Sequence, residues 1–208
     1  MTYTRRELLE RCAVFGAVTL ATSIPLSSLA FAWDGAEKKR TPTPFCELGP
    51  FYKRQAPNTT MLRKPGDSGM PLALGGMVYD VRGEVVPDAK LEIWQTDNDG
   101  HYDIEGYRYR TVLEPGPKAS YAIDTVMPGH YPTRVCQHVH YLVTAPGHKP
   151  LITQLYFATD PVFDGDPDKN YGRDPLITSR ELIRPVMIKG DPKQITAAVN
   201  FDLVLEAL

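Results

Sequence analysis

Two histidines one residue apart, His138 and His140, stand at the head of Tyr141-Leu142-Val143, an apolar run that reads as a β-strand. Side chains at i and i+2 of a strand share a face, which would aim both imidazoles the same way with their Cα atoms about 6–7 Å apart. Two imidazoles so placed can meet on one metal ion, although a His-x-His pair also suits a solvated strand face. Two tyrosines extend the set. Tyr131 follows the turn-forming Pro128-Gly129-His130, and Tyr102 closes a second Gly-His-Tyr behind the polar turn Asp97-Asn98-Asp99-Gly100. A phenolate is a hard, anionic oxygen ligand suited to a highly charged ion, whereas imidazole suits iron, copper or zinc. Two Tyr with two His therefore point to iron(III), one ion per chain. Read alone, Tyr102 would equally serve as a surface tyrosine of its turn.

The elements that must position these residues are short strands. Gly75–Asp80, Ala89–Trp94, Tyr121–Val126, the run from His138 and Leu151–Phe157 are rich in β-branched and aromatic residues. Turn chemistry separates them at Val81-Arg82-Gly83-Glu84, Pro115-Gly116-Pro117 and Ala145-Pro146-Gly147-His148. Leu91 and Ile93 alternate with Glu92 and Trp94, which gives one core face and one partly covered face. Tyr107, Tyr109 and Tyr121 read as strand aromatics rather than ligands. Asp160–Arg173 reads as an irregular loop, Arg180–Arg184 is ambiguous, and Phe201–Leu205 is a last strand. Strands at this spacing with almost no helical period predict an all-β fold, an antiparallel β-sandwich with many loops and little helix. Its loops would carry the site.

With the motifs in place, the sequence resembles the intradiol ring-cleaving dioxygenases, the group of catechol and protocatechuate dioxygenases that hold a non-haem iron(III) by two Tyr and two His. The matching pieces stand in the family's order over roughly Pro44 to Asp164. They are Leu48-Gly49-Pro50-Phe51-Tyr52, Leu91-Glu92-Ile93-Trp94-Gln95 with Gly100-His101-Tyr102, Pro128-Gly129-His130-Tyr131-Pro132, His138-Val139-His140, and Thr153-Gln154-Leu155-Tyr156-Phe157. The resemblance implies a β-sandwich of the intradiol type and iron(III) held by Tyr102, Tyr131, His138 and His140. It implies cleavage of a small aromatic diol by O2 between the two hydroxylated carbons, giving a cis,cis-muconate-type product. Tyr102 would stay on the metal, while Tyr131 would give way to a catechol oxygen and take up its proton. Gln154 matches a glutamine that supports the ligands, and Tyr52 belongs to a segment lining the substrate mouth. Arg134 is the candidate for an arginine that stabilises carbanionic charge on the ring. The family places that arginine three residues before the first His, where this chain has Val135, and Arg134 stands four before. One position on a strand reverses the facing of a side chain, so a bulge must turn Arg134 inward or it serves otherwise.

The 208 residues allow one domain and a leader. A net charge of −2 offers no basic surface for nucleic acid and no acidic tail. Thr4-Arg5-Arg6-Glu7-Leu8-Leu9 has the twin-arginine pattern, and the stretch from Cys12 to Ala32 ends in the small-x-small Ala30-Phe31-Ala32. Thr19, Thr22, Ser23, Pro25, Ser27 and Ser28 make this stretch too polar for a comfortable membrane anchor. Residues 1–32 are thus expected to be a signal peptide that engages the twin-arginine export machinery and is removed after Ala32. The protein would be periplasmic or secreted, without stable membrane insertion. Residues 33–44 read as a solvated linker and 45–208 as the sandwich domain. The oligomeric state is open, although the sequence shows no long helical N-terminal extension of the kind that dimerises some relatives. No cluster of Arg or Lys stands near the motifs, which favours an uncharged catechol over protocatechuate.

Two other classes fit parts of the pattern: a zinc or copper enzyme using the His pair alone, and an exported sandwich that binds a ligand through structural tyrosines. Cys46 and Cys136 remain once Cys12 leaves with the leader. They fit a disulfide formed in an oxidising compartment, two separately buried thiols, or, for Cys136 two residues before His138, a thiolate ligand softer than iron(III) prefers.

Overall fold

The computed structural model describes residues 39–132, 134–190 and 195–208. The expected signal peptide lies outside the described residues. Among the described residues ten strands follow one another: β1 Pro71–Asp80, β2 Lys90–Gln95, β3 Arg110–Leu113, β4 Ser120–Val126, β5 His138–Thr144, β6 Leu151–Phe157, β7 Ile183–Arg184, β8 Met187–Lys189, β9 Thr196–Asn200 and β10 Leu203–Leu205. Among the described residues the one α-helix, Pro167–Asn170, is four residues long, and no helix is long and apolar enough to cross a membrane.

The strands form two sheets. In one, β1 pairs antiparallel with β4 and parallel with β9 and β10, and β8 joins the edge of β9. The other runs β3-β2-β5-β6-β7 and is antiparallel up to β7, which lies parallel to β6. The all-β sandwich is as expected, with parallel pairings added at β1 and β7. Alternate residues of both sheets meet in one core, where Leu72, Leu74 and Ile123 join Leu91, Ile93, Val139, Tyr141, Val143 and Leu155. Tyr121 of β4 packs edge-on against Tyr141 of β5.

Two local departures have physical causes, and one ambiguous stretch is resolved. Tyr107 and Tyr109 lie in a turn rather than a strand, because the Asp103 carboxylate accepts from the backbone N–H of Glu105, Gly106 and Arg108 and curls the chain. The solvated linker was expected to run to Pro44, yet the chain is docked from Arg40. The Arg40 guanidinium lies 3.6 Å over the Tyr79 ring, and Thr43 and Val204 exchange hydrogen bonds. Arg180–Leu182, ambiguous in sequence, is a 3-10 turn leading into β7.

The second sheet matters most for chemistry, because its outer face is crossed by an arm, residues 44–51. Thr153 Oγ1 donates to the Pro44 carbonyl, Cys46 N–H to Ile152, and Gln154 Nε2 to Glu47. The arm then passes Gly49 close to His140 and ends where Arg110 Nη1 donates to the Phe51 carbonyl at 2.6 Å.

Candidate metal centre

Strand register sets out the site on that outer face. Arg110 pairs with Trp94, Trp94 with His140, and His140 with Gln154, so one row across four strands carries four site residues. The neighbouring pair on the same face is His138 with Tyr156. As expected, His138 and His140 project together, their ring centroids 4.8 Å apart.

Two loops complete the cluster. Tyr102 comes from the turn after β2 and Tyr131 from the turn after β4, and their rings meet edge-on at 5.6 Å. Tyr102 Oη stands 3.4 Å from His138 Nε2. Tyr131 lies 5.9 Å from the His138 ring, and Tyr102 6.3 Å from His140. The structure therefore brings all four predicted ligands to one place. Phe51 stacks on Tyr102 at 4.3 Å and touches Tyr131 edge-on.

The state of these groups suits a metal. His138 Nδ1 donates to the Cys136 carbonyl at 2.8 Å, which fixes the tautomer and leaves Nε2 its lone pair. His140 stacks on Trp94 with the planes 4° apart, and its buried Nδ1 has no hydrogen-bond partner. Burial, then Arg134, pushes His138 down to about 4. Burial, then His138, holds His140 well below its ordinary value. Both are thus neutral, the form that ligates. Burial, then Tyr131, drives Tyr102 up, so a phenolate here needs a cation beside it. Among the described residues no three His, Cys, Asp or Glu side chains gather at one point, so the tyrosines must complete a centre built on this His pair. An orphaned buried imidazole nitrogen, a free lone pair and two phenols fit a hard ion such as iron(III).

Arg134 faces the site. Its Nη2 donates to Gln154 Oε1 at 3.0 Å and to Tyr156 Oη at 2.9 Å, and Tyr156 Oη donates in turn to Gln154 Oε1. Its side chain is 6% exposed, whereas Val135 is 43% exposed. The offset resolves because β5 begins at His138 and the chain bends at Val135 and Cys136, so strand alternation does not govern Arg134.

Tyr52 departs from expectation. It stands one ring away from the cluster, packed on Trp94, and its hydroxyl donates to Glu92 at 2.9 Å. There it lines a polar cavity of about 640 Å³ with Arg54, Asn58, Lys90, Glu92 and Glu114. The arm residue beside the tyrosine ligands is Phe51. The cysteines are both free and buried, so the disulfide is not formed. Cys136 precedes the strand, which begins at His138, so strand alternation does not carry its side chain onto the face of the His pair. Burial and the nearby Asp160 and Asp174 push its thiol up, which argues against a thiolate ligand.

Sequence reasoning missed Trp94, Arg110 and Tyr156 as site residues. Tyr156 carried a usable signal, since it lies two residues after Gln154 and must share its face. Trp94 and Arg110 needed the register, which no local pattern supplies.

A family model described as "Dioxygenase" matches residues 47–207. The hydroxyquinol 1,2-dioxygenase of Rhodococcus opacus is 31% identical over 190 residues, covering 76% of this chain and 62% of that protein. The hydroxyquinol 1,2-dioxygenase of Nocardioides simplex is also 31% identical, over 57% of this chain and 48% of its own length. The chain thus spans about half to two-thirds of the length of these curated relatives. Among solved structures, the dioxygenase domain of a dioxygenase carbohydrate-binding protein fusion from Streptomyces sp. SirexAA-E has 30% identity and a TM-score of 0.68, over 81% of this chain and all of that one. Catechol 1,2-dioxygenase from Acinetobacter sp. ADP1, inhibited by bound mercury, has 26% identity and a TM-score of 0.67, over 80% of this chain and 63% of that one. With the Tyr and His cluster inside the matched stretch, the chain belongs to the intradiol dioxygenase family.

Proposed function

We propose that the protein is an iron(III)-dependent intradiol dioxygenase that opens an uncharged catechol-type ring with O2 between its hydroxylated carbons. The convergence of Tyr102, Tyr131, His138 and His140 beside the Arg134–Gln154–Tyr156 network carries this reading. Tyr102 and Tyr131 would hold the ion through their phenolate oxygens and His138 and His140 through imidazole nitrogens. Bound iron supplies Lewis acidity and a one-electron acceptor for the reaction of catecholate with O2.

The chain's own residues supply the rest. Tyr131 Oη would serve as the base that accepts a proton from the entering catechol. Tyr102, stacked beneath Phe51, keeps its place. Arg134, its guanidinium oriented by Gln154 and Tyr156, faces negative charge that develops on the ring. Phe51 and Trp94 keep water from the ligand side chains. The cations bordering the cluster are already engaged: Lys53 Nζ by the carbonyls of Ile104, Glu105 and Gly106, and Arg110 by those of Phe51 and Asp103. That leaves them poorly placed to receive a substrate carboxylate.

Export by the twin-arginine route to the periplasm or exterior is part of the proposal, because a folded, metal-loaded enzyme suits that route. Cell fractionation with an intact-mass measurement tests it, and a cytoplasmic chain still carrying residues 1–32 would reject it. Oxygen uptake with catechol, a chlorocatechol, hydroxyquinol and protocatechuate tests the activity. Ring opening with one O2 consumed per diol is expected for the first three. An iron-loaded protein that consumes no oxygen with any of them would defeat the assignment.

A further inference from the structure

The loop between β6 and β7 contributes two buried carboxylates to the segment that carries Tyr131 and Arg134. The Asp160 side chain is 0% exposed and that of Asp174 is 1% exposed. Asp160 accepts from Gln137 N–H at 2.7 Å, from Val162 N–H at 3.0 Å, and faces His130 Nε2 at 3.1 Å. Asp174 accepts from Cys136 N–H at 3.3 Å and from Leu176 N–H at 3.0 Å, and stands 3.6 Å from Arg134 Nη2. The two carboxylates thus take the consecutive amides just before His138. Their remaining contacts reach His130, which adjoins Tyr131, and Arg134. Gln137 Nε2 closes the segment by donating to the Pro128 carbonyl at 2.7 Å.

A carboxylate is costly to bury unless donors surround it, and each of these two takes one amide from its own loop and the rest of its donors from one functional segment. Amide donors before a strand usually find backbone acceptors; here charged side chains from a distant loop take them. Such support fixes first-contact groups that would otherwise wander, and a displacement near 1 Å can cost about a hundredfold in rate.

We infer that Asp160 and Asp174 are positioning residues: they template residues 130–132 and 134–138, so that Tyr131, Arg134 and His138 present themselves together. The kinetic part rests on the dioxygenase reading, whereas the structural part does not.

The test uses Asp160→Asn and Asp174→Asn, in which a single carbonyl oxygen replaces two acceptors, together with His130→Ala, which removes a half-exposed ring. In the metal-free full chain, amide hydrogen exchange across 134–138 should quicken about tenfold or more in both aspartate variants, while the β1–β4 pair keeps its protection. Unchanged exchange in that segment would overturn the inference, whatever the protein catalyses. In the iron-loaded protein, His130→Ala should lower kcat about tenfold with KM within about threefold, with iron content unchanged and the visible charge-transfer band shifted. Wild-type kcat and spectrum in His130→Ala would sever Asp160 from Tyr131. Should an aspartate variant fail to fold, exchange across the same segment in His130→Ala decides, with faster exchange supporting the template and unchanged exchange overturning it.

Discussion

Gly100 lies against the carbonyl of His130 so closely that a Cβ at Gly100 would collide with that oxygen. The contact is reciprocal, since a Cβ at Gly129 would collide with the backbone of Asn98 and Gly100. The Gly129 N–H also donates to the Asp97 carbonyl, and Thr96 Oγ1 to that of Gly129. The two Gly-His-Tyr turns are therefore stacked backbone to backbone, and this stacking places Tyr102 beside Tyr131. Gly100 has a φ of +85°, which side chains other than glycine's rarely adopt.

Replacing Gly100 with Ala should separate the turns. Strain and collision together predict a loss of more than about 2 kcal/mol of stability and a marked fall in retained iron. Denaturant unfolding and metal analysis check it; a fully stable, fully loaded variant would show that the turns do not depend on this contact.

The protein purified from iron-replete cells should carry about one iron per chain and be red-brown from phenolate charge transfer. Tyr131→Phe should slow turnover far more than it reduces iron, because three ligands remain, while His138→Ala should lose the metal. Equal iron loss in both variants would erase the distinction between a displaced and a permanent ligand.

Tyr156→Phe removes the hydroxyl that links Arg134 to Gln154. Turnover should fall roughly tenfold with iron content unchanged. Steady-state kinetics beside metal analysis settles this, and an unaltered kcat would mean that Gln154 and Asp174 suffice to orient Arg134.

Acid should weaken the metal-free fold over a defined window. His138 titrates near 4 in the fold against 6.5 ordinarily. Between those values the unfolded chain binds a proton that the folded chain refuses, so stability falls as pH drops from about 6.5 towards 4, on the order of 3 kcal/mol in full. Below the folded value both states are protonated and this contribution levels off. Urea unfolding of metal-free protein at stepped pH reads it, and His138→Gln, if folded, should flatten part of the slope. A profile level from pH 7 to 4.5 would contradict the burial of neutral imidazoles.

Thiol titration of denatured protein lacking residues 1–32, without reductant, should find both Cys46 and Cys136 free, as in the fold. A count of zero would mean that the cysteines pair after export.

Local chemistry alone determined much of this protein. The i and i+2 spacing of His138 and His140 fixed a shared facing, because a strand's side chains alternate whatever surrounds them. Turn residues marked the loops that carry Tyr102 and Tyr131, and β-branched runs with little helical period specified the sandwich. Tertiary structure decided what depends on partners distant in sequence. Arg134 turns inward because Asp174, Gln154 and Tyr156 receive it, not because of its offset from His138. Tyr52 leaves the site to Phe51 because Glu92 and Trp94, forty or more residues away, claim it. Trp94 reaches His140, and Arg110 joins their row, only through the register of β3, β2 and β5. Register is set by the fit of whole sheet faces and by the loops that join strands, so no single stretch of sequence encodes it.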